Sequence, residues 1–316
     1  LDAAVADMSG TSLSRQMVMD MSQTQIIKVI RQVDSADELE HLMRQGEISV
    51  GIYIPPDFDR RLHQANRSAM QLLVDGSDTV VQGAAAQLAQ IAYQSRTSPY
   101  NDSPPVMELR TFYNPERRSP VNTVPGLIGV ILTMTMILFT AVAIVRERER
   151  GNLELLITTP VRTSELMLAK ITPYVFIGLI QVSLVLLLGK FLFQVPMAGS
   201  LLDTYIITFV FIVANLALGL VISTLVSTQF LAMQLSFFVL LPSILLSGFM
   251  FPFAGMPRPA QVIAEALPLT HFIRLIRGVM LRGASLQELT TELIILAGFI
   301  VVLMSLAILR FSKRLD

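Results

Sequence analysis

The chain has no cysteine. No disulfide framework can hold it together, and no thiolate can bind a metal. Histidine is almost as scarce. His41, His63 and His271 stand far apart, and the spacings that hold zinc or haem cannot be assembled from them. Clustered Asp and Glu of the calcium-loop kind are missing too, so neither a metal nor a cofactor is expected. Charge is sparse: Asp, Glu, Lys and Arg make up 15% of the 316 residues, and 24 basic residues cancel 24 acidic ones. Without a basic surplus there is no electrostatic footprint for nucleic acid. The start also lacks a signal peptide. The apolar letters between Leu1 and Val5 run straight into a polar stretch, with neither a basic opening nor a long apolar core. The text that begins at Leu1 is expected to be preceded by further sequence.

What the chain does have is apolar surface. Hydrophobic residues make up 53% of it and the mean hydropathy is +0.60, values that a soluble domain rarely reaches. The apolar letters are unevenly distributed. Up to about Pro120, short β-branched runs alternate with helical ones. Ala3–Val5, Ile26–Val33, Val50–Ile54, Gln71–Val74 and Val106–Phe112 read as strands bounded by Gly, Pro, Asp or Ser. One helix opens on Ser35-Ala36-Asp37-Glu38, a capping-box pattern, and another runs from about Asp78 to Gln94. Residues 1–120 are therefore expected to form a small α/β domain. The turn Asp75-Gly76-Ser77-Asp78 reads as a strand end that caps the next helix, and no catalytic set can be built on it.

From Val124 the register changes. Five apolar segments, about 124–145, 167–193, 204–226, 231–251 and 293–309, are each close to the ~20 residues that cross a bilayer. The expected fold is an α-helical polytopic membrane protein, residues 121–316, carrying an N-terminal extracytoplasmic α/β domain, with membrane lipids as its surroundings. Orientation follows from the basic residues. Arg146, Arg148, Arg150, Arg162 and Lys170 flank the first loop, while the loop around Gln194–Asp203 has none, so the first loop is assigned to the cytoplasm. By parity residues 1–120 lie outside, and a helix upstream of Leu1 is expected to complete a set of six. The segment from Pro252 to Thr290 also falls outside although it carries Arg258, Arg274, Arg277 and Arg282. Its apolar letters, from Phe272 to Met280, alternate with arginine as in a helix that lies at the interface or re-enters the membrane, where Arg can snorkel.

Within the spans, ionisable residues are absent away from the ends; Lys190 and Asp203 sit near boundaries. Ion-coupled carriers need such groups at depth, so energy must come from elsewhere. No G-x-x-x-x-G-K-[ST] loop is present, and the single Gly-Lys pair, Gly189-Lys190, is followed by Phe191. An ATPase would be a separate polypeptide. The polar letters Thr133, Thr135, Gln181, Ser183, Asn215, Ser223, Gln234 and Ser236 are read first as backbone or interhelical bonders, with a share left that could line a path. Pro242 and Gly248 mark either irregular packing or a gating bend.

The stretch Arg146-Glu147-Arg148-Glu149-Arg150-Gly151-Asn152-Leu153-Glu154 follows a span directly. It reads as a positive-inside anchor or as a dock. Leu155, Leu156 and the stop at Thr158-Thr159-Pro160 favour the dock, because they add an apolar face fit for a partner's groove. Taken with Tyr113-Asn114-Pro115, Val124-Pro125-Gly126-Leu127-Ile128, Glu165-Leu166 and Lys170, this stretch resembles the ABC-2 type permease family, in particular bacterial members with a large periplasmic domain between the first two spans. Ser247-Gly248-Phe249-Met250-Phe251-Pro252, Met256-Pro257, Pro268-Leu269-Thr270 and Arg277-Gly278 are similar to the family's last external re-entrant segment. Val5-Ala6-Asp7, Ile54-Pro55-Pro56-Asp57-Phe58 and Leu73-Val74-Asp75-Gly76-Ser77 are similar to its outer domain. The resemblance implies an inner-membrane permease subunit that exports drugs, lipids or other amphiphiles and performs no catalysis itself. Its implied partners are an ABC ATPase subunit, a second permease copy or sister permease, and often a periplasmic adaptor protein. Arg146, Glu147, Arg148, Glu149, Arg150, Gly151, Glu154, Leu155, Leu156, Thr159 and Pro160 map to the segment that meets the ATPase. A non-transporting envelope receptor or scaffold exceeds its needs with five spans, and an ion-coupled carrier lacks its buried charges.

Overall fold

The computed structural model describes residues 1–24, 26–64, 67–94, 107–151, 163–251 and 253–310. It divides into two compact units, Leu1–Asn122 and Thr123–Asp316. The first is built on a five-stranded sheet in the order β2-β1-β3-β4-β5, where β1 is Asp2–Asp7, β2 Lys28–Gln32, β3 Val50–Ile54, β4 Met70–Asp75 and β5 Met107–Phe112. Within this sheet the β3/β4 pair is antiparallel, whereas β1 is parallel to both β2 and β3, and β4 to β5.

Alternation along the strands supplies a core on each face. Ala3 and Val5 of β1, Val50, Ile52 and Ile54 of β3, and Leu72 and Val74 of β4 meet Met17 and Met21 of α1 (Ser12–Gln23), Phe58 of α3 (Phe58–Gln64), and Val81, Ala85 and Leu88 of α4 (Thr79–Gln94). Ala4, Ala6 and Leu73 turn the other way, onto Leu39, Leu42 and Met43 of α2 (Ala36–Gln45). The Ser35 half of the expected capping box is present at α2, while the Glu38 side chain accepts from the Asp34 amide at 3.3 Å. Ser35 accepts from the Glu38 amide at 3.1 Å, and the helix stops at Gly46 with φ +79°. The Asp75–Asp78 turn also behaves as a cap: Asp75 accepts from the Ser77 amide at 2.8 Å and Asp78 from the Val80 amide at 2.9 Å. Gln82, nearly buried, donates to the Gly76 carbonyl at 2.9 Å.

The second unit is helical. It comprises α5 (Ser119–Glu149, whose first turn belongs to the first unit), α6 (Thr163–Phe191), α7 (Leu201–Leu225), α8 (Gln229–Leu246), a short 3-10 turn at Phe253–Gly255, α9 (Arg258–Glu265), α10 (Pro268–Met280) and α11 (Thr290–Arg310). α5, α6, α7, α8 and α11 are long and apolar enough to cross a membrane. α7 is the central helix, packed against α6, α8, α10 and α11. Of its apolar stretch 67% is buried, against 11% for α11. The outer faces of α6, α8 and α11 expose Phe176, Ile180, Leu184, Phe238, Leu241, Ile294 and Val301. In water that surface would cost about 25 cal/mol per Å2, whereas hydrocarbon removes the penalty. Small residues let the inner helices close up. A Cβ on Gly219 of α7 would lie 2.8 Å from the Ile137 carbonyl of α5, so the two backbones meet there. Phe211 of α7 stacks on Phe272 of α10 with centroids 4.0 Å apart.

One expectation is corrected. α8 runs through Pro242 but ends at Leu246, not Phe251, because Gly248 takes a φ of +85° just past the end. Pro242 and Gly248 therefore do not share one helix, and Gly248 is a stop rather than an internal soft point. The letters from Phe272 to Met280, expected as a helix at the interface or re-entering the membrane, do lie on one helix, α10. The segment before α11 holds two helices, α9 and α10, and α10 is buried on nearly all sides.

Candidate functional site

The charged letters after the first span continue α5 to Glu149, where Gly151 at φ +71° turns the chain. Arg146, Arg148, Glu149 and Arg150 are exposed. Three of the charged side chains reach other elements. Glu147 pairs with Lys170 of α6. Arg148 Nη1 donates to the Val226 carbonyl at the end of α7, at 3.1 Å. Glu149 accepts from the Gln229 amide at 2.9 Å through Oε1 and from the Gln229 side-chain amide through Oε2, at the first residue of α8. Thr228 caps α8 by accepting from the Leu231 amide at 3.3 Å. At an exposed helix end, solvent screening leaves such contacts little net stabilising effect. Their weight lies in geometry, because one end of α5 is tied to α6, to the last turn of α7 and to the first turn of α8. Next to this collar an open groove of about 290 Å3 is lined by Val226, Leu231, Gln234, Leu235 and Phe238. Glu154, Leu155, Leu156, Thr159 and Pro160, which complete the expected dock, lie outside the described residues.

Among the polar letters within the spans, the modest role predominates. Thr133, Asn215, Ser223 and Ser236 bond to carbonyls three or four residues back in their own helices. Two pairs also cross between helices: Thr135 of α5 donates to Gln181 of α6 at 2.9 Å, and Ser183 of α6 and Tyr205 of α7 share a hydrogen bond of 2.7 Å. Gln234 is the polar residue of the groove.

A second polar constellation escaped the sequence reading. His271 of α10 is 1% exposed, with Nδ1 2.5 Å from Glu292 Oε2 of α11 and Nε2 2.9 Å from the Glu265 carbonyl at the end of α9. Arg274 Nη2 meets Glu265 at 2.6 Å and its Nη1 meets Glu292 at 3.0 Å, while the guanidinium covers the Phe253 ring. Burial disfavours the charged imidazole. The hydrogen bonds to Glu292 and to the Glu265 carbonyl, together with the charges of both carboxylates, outweigh it, so His271 titrates above the usual histidine value. The partners lie too far apart in sequence to show as a motif; the available signal was a His and an Arg one turn apart, His271 and Arg274, in an apolar run.

A bundle of span-length apolar helices that turns its apolar surface outward, together with a small α/β unit, defines a multi-pass membrane protein with an α/β accessory domain. The chain matches the family described as ABC-2 family transporter protein over residues 1–309, and it belongs to that family. It is 32% identical over 292 residues to the Escherichia coli (strain K12) protein named "Probable multidrug ABC transporter permease YbhS", covering 90% of this chain and 78% of that one. It is 33% identical over 241 residues to the one named "Probable multidrug ABC transporter permease YbhR", covering 75% and 66%. With the "Inner membrane transport permease YhhJ" of the same organism, 28% identity extends over 324 aligned residues, 99% of this chain and 85% of the relative. ABC permeases of this class work with a partner ATPase subunit.

Proposed function

We propose that this chain is the permease subunit of an ABC exporter. It forms the translocation path, has no ATPase site of its own, and couples to a separate ATPase through the segment from Arg146 to Pro160. The observation that carries this reading is the family match over almost the whole chain, with relatives named as multidrug and inner-membrane permeases. The collar adds the mechanical half. A push on the loop after α5 reaches α6 through Glu147 and Lys170, and reaches the α7–α8 turn through Arg148 and Glu149. Such a loop can convert motion of a docked partner into motion of three spans at once.

On this reading the arginine-rich loop is cytoplasmic, residues 1–120 stand in the periplasm of a bacterial inner membrane, and a helix upstream of Leu1 makes the sixth span. A second copy or a sister permease completes the path, a periplasmic adaptor extends it, and the substrates are drugs, lipids or other amphiphiles. The test is a paired substitution in the full-length permease. Leu155→Asp with Leu156→Asp places charge on the docking face, which costs several kcal/mol when it is buried unpaired. Membrane insertion should persist, while co-purification with the ATPase and substrate-stimulated ATP hydrolysis are lost. Undiminished co-purification and normal efflux would reduce the segment to a charged anchor.

A further inference from the structure

The imidazole of His271 offers a constraint that the reading above does not use. Both of its ring nitrogens face acceptors: Nδ1 faces the Glu292 carboxylate at 2.5 Å, and Nε2 faces the Glu265 carbonyl at 2.9 Å with Glu265 Oε2 at 3.5 Å. Neither a carboxylate nor a backbone carbonyl can donate. A neutral imidazole carries one N–H and can satisfy only one of these contacts, so the arrangement needs the doubly protonated ring. The charges then balance. Arg274 and the imidazolium carry two positive charges, and Glu265 and Glu292 carry two negative ones. Arg282, just past the end of α10, adjoins the cluster through its Nη2, which donates to the Arg274 carbonyl at 3.4 Å. On the α11 side the ring also meets an apolar neighbour, Phe299, with centroids 5.6 Å apart.

We infer that His271, held between Glu265 and Glu292, is a proton-operated latch that closes the α9–α10 hairpin onto α11 and opens when the imidazole loses its proton. The element it holds is one connected piece. α9 and α10 are joined end to end by a bond from Thr270 Oγ1 to the Ala264 carbonyl, at 2.6 Å, and α10 lies against the central helix α7. Loss of one N–H sets a lone pair against a carboxylate or carbonyl lone pair at hydrogen-bonding distance. That contact is repulsive and cannot be hydrated while His271 is 1% exposed, so the hairpin has to shift to admit water. The Glu265 side chain is 43% exposed with its Oε2 3.5 Å from Nε2, and its carboxylate gives the proton a route out. The direction follows from the raised folded value of His271. The latch is fully closed below the ordinary histidine range and is released as pH climbs through the higher folded value. Only the assignment of the sensed side, the periplasm, rests on the exporter reading. The latch itself is a property of the second unit.

Thiol accessibility tests it in the full-length permease in proteoliposomes. Ala264→Cys places a thiol at a fully buried position of α9, and Val262→Cys, 72% exposed on the same helix, corrects for the intrinsic pH dependence of thiol reactivity. Between pH ~6 and ~9, a window that brackets imidazole titration, the corrected labelling of the Ala264→Cys variant should rise about tenfold. His271→Gln should remove the pH dependence. Glu292→Gln, which withdraws the opposing charge, should move the midpoint down. A labelling ratio that is flat with pH while His271 is present overturns the latch, as does a midpoint that stays where it was in Glu292→Gln. Both readouts use folded protein and need no ATPase, so a failure here is distinct from a failure of the exporter reading. If Ala264→Cys does not fold, the same labelling comparison is made with Leu269→Cys, 1% exposed on α10. There a pH dependence of labelling unchanged by His271→Gln counts against the latch.

Discussion

At the scale of single residues, Asp7 shows how one carboxylate shapes a loop. It ends β1, and its Oδ1 accepts from the Ser9 amide, the Ser9 hydroxyl and the Gly10 amide at 3.0, 2.9 and 3.1 Å, while Oδ2 accepts from the Ser14 hydroxyl at 2.6 Å. Burial alone would raise its pKa. The hydrogen bonds from Ser14, Gly10 and Ser9 prevail and hold it below the usual aspartate value. A depressed carboxylate stabilises the fold fully above the ordinary value of ~3.9, and the contribution is lost as pH falls through the lower folded value. Asp7→Asn should therefore destabilise the α/β unit at pH 7, by about 1 kcal/mol on the scale of charge-assisted hydrogen bonds. The deficit should shrink in acid, where the wild type loses the same charge. Thermal unfolding followed by limited proteolysis at pH 7 and in acid measures both. A deficit independent of pH would show that the charge of Asp7 does not hold this loop.

At the scale of elements, the collar makes a claim about transmission. If Glu149 carries motion from the loop into α8 through Gln229, then Glu149→Ala should leave ATPase docking intact while transport per ATP falls about five- to tenfold, a modest coupling energy. Gly298→Ala on α11, where an added Cβ meets nothing within 4 Å, should change neither quantity. Co-purification and efflux measured side by side decide it, and normal coupling in Glu149→Ala would make the collar decorative. The elements themselves were largely legible. Val50–Ile54 is a strand with those bounds, and the Ser35 cap opens α2 where the pattern puts it, because caps and alternation are local chemistry. The end of α8 was misplaced because its apolar run continues past a backbone turn at Gly248 that only conformation reveals. Glu265, His271, Arg274 and Glu292 come from three helices and meet only by tertiary packing, so neither periodicity nor motif spacing could join them.

At the scale of the whole molecule, the two units follow different solvent rules. The α/β unit buries apolar side chains on both faces of its sheet, as a domain in water must. The helical unit exposes apolar side chains on the outer faces of α6, α8 and α11 and buries Thr208, Asn215 and Ser236 inside. A chain built this way is fixed in the membrane by its charged loops, and the choice of side decides whether the collar can meet an ATPase at all. The absence of native cysteine from this chain makes the question direct. In the full-length permease in intact cells, a membrane-impermeant thiol reagent should label Ser98→Cys at once, and should label Arg150→Cys only after the membrane is opened. This expected outcome rests on the arginine asymmetry around the first loop. If Arg150→Cys reacted in intact cells while Ser98→Cys was protected, the loop would face away from cytoplasmic ATP, and the coupling role of Arg146 to Pro160 would fall with the topology.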